Sequence, residues 1–388
     1  MSESAAERYV RLGLQIGRHV DGIVDSYFGP PELAQAVEAA PPVEPQELVA
    51  VADALLEELE DGWLRDQAAG LRTYAGVLAG ESLLYADEVE GCYGVRPPFV
   101  DEAVFAAAHD ELEELLPGAG PLAERYRRWQ ETGRVPTERV EATVAEVIAE
   151  ARRQTRKLVD LPEGEDVVLE VVRDKAWMAF CEYGGDLRSE ISVNVDLPNS
   201  GIDLLRLTLH ETYPGHHTER SLKEQLLVRG QGLLEETIVL VPTPQSLIAE
   251  GIAELAPEML LDGEGGAALA AIVQDAGVEL DLEHARAVER ALEPCRWAEV
   301  NGALMLHERG ASEAEVQAYL ERWGLMTPEL SAQMIRFFGE PSSRSYITTY
   351  PAGRELCGSY VAGEAERFRR LLTEQLRVRD LLALSDAP

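Results

Sequence analysis

The chain has 388 residues, 46% apolar and 27% charged, with a formal net charge of −35, so a sizeable core is available, while nucleic-acid phosphate and anionic membrane are excluded as partners because both would repel it. No run reaches the roughly 18 uncharged apolar residues of a membrane span, and the N-terminus lacks a secretory apolar segment. Four scattered cysteines (92, 181, 295, 357), with no CxxC pair, fit free thiols in a reducing cytoplasm.

In chain order, apolar residues at helical spacing run from 3 to 27 and stop where Gly29, Pro30 and Pro31 break the pattern. Amphipathic helices are expected at about 46–61, 63–88, 100–116 and 137–160. The β signal is central. The β-branched segment 166–172 is followed by two strands around the Gly184-Gly185 turn, a hairpin region covering about 166–196. Helix resumes near Ser200, where Asp203 three residues on resembles a capping box. It is again expected over 216–228, 244–262, 279–310, 312–323, 328–338 and 353–384. No linker, low-complexity tract or repeat divides the chain. The expected fold is a single mainly α domain over 1–388, with a small antiparallel sheet and a cleft between helical halves.

Three of the seven histidines fall in LHETYPGHHTERS, residues 209–221. The segment begins like the zinc-peptidase helix His-Glu-x-x-His, but Pro214 occupies the fifth position and the later histidines are 216 and 217. Two imidazoles on one zinc need ring nitrogens roughly 3 Å apart. In an unbroken helix His217 would lie about 10.5 Å along the axis from His210, and His216 would point about 120° away. Sharing a metal therefore requires the helix to break between them. Pro214 removes an amide donor and drives Tyr213 out of the α region, and Gly215 is free to take a positive φ. If His210 is a ligand, Glu211 stands where the general base of such a site would.

A catalytic zinc needs a third protein ligand. In TPQSLIAEGIAELAPEM, Thr243-Pro244 starts a helix that places Glu250 and Glu254 on one partly apolar stripe, a like-charge pair that calls for a neutralising cation. Glu250, beside Gly251, is the preferred ligand. Glu254 is a supporting or alternative one.

HETYPGHHTE followed by AEGIAELAPE resembles the DUF885 proteins, with further similarity at 19–33, 191–198, 303–320 and 345–364. The resemblance implies a helical fold like that of the M32 zinc carboxypeptidases of the zincin group. Carried over by position, it implies His210 and His216 as histidine ligands, Glu250 as third ligand, Glu211 as general base, and His217 as a supporting or substrate-facing group. Ile252 departs from the family's tryptophan, and Thr218-Glu219 from Leu-Gln. For the oxyanion donor that zincins need, Tyr350, Arg354 and Tyr360 offer phenols and a guanidinium. The strand 188–195 is expected to offer an edge for an extended peptide, with Asn194 binding substrate. The expected activity is zinc-dependent hydrolysis of short peptides in the cytoplasm, as a carboxypeptidase or oligopeptidase with one Zn2+ or another divalent transition metal. Two alternatives share these residues: a metal-dependent amide hydrolase on a non-peptide substrate, and a non-enzymatic helical peptide- or partner-binding protein with a degenerate site.

Overall fold

A computed structural model describes residues 3–175, 178–196 and 199–385. It is mainly helical with a small β component. Among the described residues no helix is long and apolar enough to cross a membrane.

Among the described residues five strands form two sheets. β1 (Val24–Tyr27) pairs antiparallel with β5 (Ile238–Leu240). β2 (Asp166–Val172), β3 (Ala179–Gly185) and β4 (Arg188–Asn194) form a second sheet in the order β2-β4-β3. β3 and β4 are the expected antiparallel hairpin, and β2 joins parallel to β4, with Asp166 beside Arg188 and Val172 beside Asn194. The hairpin's expected flanks at 177 and 197–198 lie outside the described residues. Side chains alternate as a one-face-buried sheet requires: Cys181 and Tyr183 of β3 and Ile191 and Val193 of β4 are buried, whereas Phe180, Glu182 and Glu190 face outward. Ile191 and Val193 belong to one apolar cluster with Leu205, Leu209 and Tyr213. The sheet therefore packs against the segment carrying the histidines.

Several expectations need correcting. The first helix stops at Gly17, and the end of the 3–27 stretch is β1; its apolar residues satisfy a strand whose partner, β5, lies some 210 positions downstream. The 63–88 stretch splits into helices Trp63–Leu78 and Tyr85–Tyr93 around Gly80. The 279–310 stretch is broken at Pro294 into Leu282–Leu292, a tight turn and Trp297–His307. Strand 188–195 offers no edge, because β2 and β3 occupy both sides of β4; the strand beside the histidines with an edge in this sheet is β3. Asn194 is fully buried, its amide donating to the Lys175 carbonyl and its carbonyl oxygen accepting from the Asp196 N–H, so it shapes a turn and does not meet substrate.

Four segments position the functional side chains. Helix Gly201–Glu211 begins at Ser200, whose hydroxyl accepts from the Asp203 N–H. Helix His216–Lys223 follows after four residues. Helix Pro244–Leu260 starts at Pro244, as its sequence predicts, although the Thr243 hydroxyl donates back to Leu240 instead of capping. Helix Thr349–Val361 lies against it at unusually short range. A Cβ on Gly251 would sit 2.3 Å from the Gly353 carbonyl oxygen, so only glycine lets these two helices approach this closely.

Candidate metal centre

The helix carrying His210 ends at Glu211, and the chain turns through 212–215 before His216 opens the next helix. The Tyr213–Pro214 peptide is cis. Gly215 does not use a positive φ: its φ is −79°. Its requirement for glycine is steric, since a Cβ there would lie 1.8 Å from the His210 carbonyl oxygen. The Gly215 N–H bonds to Leu209 O and the Thr218 N–H to Thr212 O, which ties the two sides of the break together.

The turn brings the rings of His210 and His216 edge-to-face, with centroids 4.8 Å apart. Glu250 lies opposite both. His210 Nε2 is 3.5 Å from Glu250 Oε2, and His216 Nε2 is 3.4 Å from Glu250 Oε1. One ligand atom from each of the three residues falls within 4.8 Å of the others. Tetrahedral zinc with bonds of about 2.0–2.1 Å separates its ligand atoms by about 3.3 Å, so each imidazole stands about one such edge from a Glu250 oxygen, His210 from Oε2 and His216 from Oε1. Glu250 Oε2 is buried without any hydrogen-bond partner, an expense that a cation would remove. The residues fit a divalent metal with nitrogen and oxygen ligands.

Burial opposes the positive charge on His216, but Glu250 and Glu211 outweigh it and lift its pKa to about 9. Burial likewise opposes ionisation of Glu250, which His216 and His210 still hold below the usual carboxylate range. Glu211 is 8% exposed. Desolvation pushes its pKa up, with the imidazoles of His210 and His216 opposing and Glu250 and Asp25 reinforcing.

Glu254 is oriented away from ligation. Arg296 holds it with two guanidinium nitrogens, one at 2.9 Å, and Arg206 approaches to 3.8 Å. Burial opposes its charge, but Arg296 keeps the carboxyl far below its ordinary range. The other contact of Glu254 is to His210 Nδ1, at 3.7 Å. At this distance Glu254 faces the ring as a negative charge and not as a hydrogen-bond acceptor.

His217 faces the opposite way. It is fully buried, with Nδ1 2.8 Å from the Ser189 hydroxyl and Nε2 3.2 Å from Glu165. Glu165 also accepts from the Tyr213 hydroxyl and from Arg152 Nε at 2.8 Å. Burial lowers the His217 pKa, with Glu165 opposing. A neutral ring donating from Nε2 and accepting at Nδ1 satisfies both neighbours. His217 therefore neither reaches the centre nor meets substrate.

The remaining expected residues separate. Tyr350 lines a cavity of about 320 Å³ together with His210, Glu211, Glu254 and Arg206. Arg354 lies in an adjoining cavity of about 500 Å³, committed to Glu258, Glu293 and the Glu254 carbonyl. Tyr360 is ten residues beyond Tyr350, about 15 Å along the helix, buried with Arg367 against its ring; it is outside the cavity. Two residues escaped the sequence reading. Tyr346, four positions before Tyr350, donates to Glu250 Oε1 at 2.5 Å. Glu165 anchors both ends of the turn. Tyr346 could have been found from the segment SYITTYPAGR, which holds it; nothing local marks Glu165.

No family model matches the chain, and no curated protein sequence matches it. Its fold is similar to those of two solved structures. One, from Colwellia psychrerythraea, is described as a "putative lipoprotein" (TM-score 0.56, 14% identity, 92% of this chain and 65% of that one). The other, from Shewanella oneidensis, is described as a "putative lipoprotein of unknown function" (TM-score 0.53, 13% identity, 92% and 67%). This chain thus spans about two thirds of their length, and the likeness is one of fold.

Proposed function

We propose that this chain is a zinc-dependent hydrolase that cleaves peptide bonds in short peptides, one metallopeptidase unit with His210, His216 and Glu250 as ligands and Glu211 as general base. The observation that carries this reading is the meeting of those three donors around a buried, unpartnered carboxylate oxygen, with Glu211 on the wall of the adjoining cavity. The resemblance of the 210–217 segment to the DUF885 proteins points the same way. Four buried, free cysteines suit a reducing cytoplasm.

When bound, a divalent metal supplies Lewis-acid activation of a carbonyl and makes water nucleophilic near neutral pH. Glu211 takes the proton from the attacking water and passes it to the leaving amine, a task helped by its raised pKa. Tyr350 borders the cavity as a neutral phenol, because burial above all pushes its pKa well above the ordinary value; it donates to the oxyanion that develops on the scissile carbonyl. Glu254, clamped by Arg296, sets a negative charge beside His210 Nδ1. The two adjoining cavities share Arg206, Glu254, Pro257 and Glu289, which gives a short peptide room beyond the reacting bond.

The test is to load the purified protein with zinc, offer a mixture of short peptides, and read the products by mass spectrometry. Glu211→Gln should keep one equivalent of zinc and lose roughly 10²–10⁴-fold in rate. Unchanged turnover in that variant would refute the assignment.

A further inference from the structure

Glu250 has two oxygens, and the structure treats them differently. Oε1 accepts the Tyr346 phenol at 2.5 Å and has His216 Nε2 at 3.4 Å, whereas Oε2 has His210 Nε2 at 3.5 Å. Oε2 has no hydrogen-bond partner although it is buried. A carboxylate that bound a metal through both oxygens would occupy two positions, and the site would lose the opening that a catalytic centre keeps for water and substrate. Resting on the metallohydrolase reading above, we propose that Tyr346 is a positioning residue that confines Glu250 to one-oxygen ligation through Oε2 and thereby keeps the fourth position open.

The phenol is well placed to enforce this. Tyr346 begins the short turn Tyr346–Thr348 that leads into helix Thr349–Val361. Its carbonyl accepts from the Thr349 hydroxyl at 2.6 Å, and its ring stands edge-to-face on Tyr350 with centroids 5.5 Å apart. Glu250 is fixed from the other side, because Gly251 and Gly353 allow its helix to press directly on helix Thr349–Val361. Phenol and carboxylate are therefore held by two packed helices, and neither side chain needs to reorganise to keep the bond. A carboxylate only accepts and a phenol donates, so Tyr346 takes one lone pair of Oε1 and draws off its charge, which makes Oε2 the better ligand. Charge-assisted O–H···O⁻ bonds are the stronger class of hydrogen bond, and partners of metal ligands of this kind tune the metal they never touch. Tyr350 faces the cavity from the next turn of the same segment, so neighbouring tyrosines divide the work: one restrains the ligand and the other addresses the substrate.

The test uses cobalt(II) as a spectroscopic substitute in the wild-type chain and in Tyr346→Phe, with thermal unfolding to check that both are folded. Wild-type protein should bind one equivalent and give the intense visible absorption of a four-coordinate site. Tyr346→Phe should still bind one equivalent, with a clear loss of visible intensity as Glu250 swings to two-oxygen ligation and the coordination number rises. Equal spectra in the two proteins would overturn the proposal. Failure of the wild-type chain to bind cobalt or zinc at all would instead refute the metal centre itself. X-ray absorption on the zinc-loaded wild type needs no substitution. A first shell of four light atoms at about 2.0–2.2 Å supports one-oxygen ligation, and five, with Glu250 contributing two, contradicts it.

Discussion

His216 and His217 are neighbours in the chain and opposites in the structure. The side of the turn that faces Glu250 is left chemically incomplete: two imidazoles and a carboxylate converge, and Glu250 Oε2 has no hydrogen-bond partner. The side that faces Glu165 is complete, with Ser189, His217, Glu165, Tyr213 and Arg152 joined in one buried network. The same residue type thus serves as a reactive group on one face and as internal scaffolding on the other, and its hydrogen-bond partners decide which. A group that is fully satisfied by protein has nothing left to offer a ligand.

The comparison can be broken hardest from the incomplete side. His216→Ala should abolish stoichiometric zinc binding and peptide hydrolysis while leaving the fold intact, as read by metal analysis and circular dichroism. His217→Ala should do the reverse, keeping a metal site but unfolding more easily, because Glu165, Ser189 and their partners are left unpaired in the core.

Glu165→Ala carries the next effect. It strands Tyr213 and His217 and removes the partner of Arg152, and breaking a buried network of this kind costs roughly 3 kcal/mol or more; denaturant melts of the metal-free protein measure it. Gly215→Ala forces a Cβ into the His210 carbonyl, and overpacking of this kind costs about 1–3 kcal/mol. It should also weaken zinc binding, because the turn sets the distance between the two rings.

The smallest effect is on pH. The pKa of His216 in the folded, metal-free protein is raised to about 9, above the ordinary histidine value. A raised folded pKa adds stability that is fully present below the ordinary value and is lost as pH climbs through about 9. Zinc requires the neutral ring, so apparent zinc affinity should climb about tenfold per pH unit between 7 and 9 and then level off. A flat pH profile over that window would separate His216 from the metal.

Much of the fold was legible because helical periodicity is local. The hairpin, the helix starts at Ser200 and Pro244, and the end of the helix before Pro214 all follow from residues within a turn or two of the event. What was not legible depended on distant partners. Val24–Tyr27 reads as the tail of a helix until Ile238–Leu240 comes to pair with it, and β4 reads as an edge until β2 arrives parallel from upstream. The site followed the same rule. His210, His216, Glu211 and Glu250 could be picked because each requires a particular chemistry at a particular spacing, and the structure brings their side chains together. Arg354 and Tyr360 shared a short segment with Tyr350, but Tyr360 lies ten positions on, almost three turns away, and Arg354, one turn on, is absorbed by Glu258 and Glu293. Glu165 lacks any local signature because its meaning comes entirely from three segments meeting around it.

The central claim is that the turn at 212–215 brings His210 and His216 onto one metal with Glu250. Anomalous diffraction at the zinc edge from zinc-equilibrated crystals tests it most directly. The account predicts a single strong peak bonded to both imidazoles and to one Glu250 oxygen. Zinc-equilibrated crystals with no peak there, or with one elsewhere in the molecule, would contradict it.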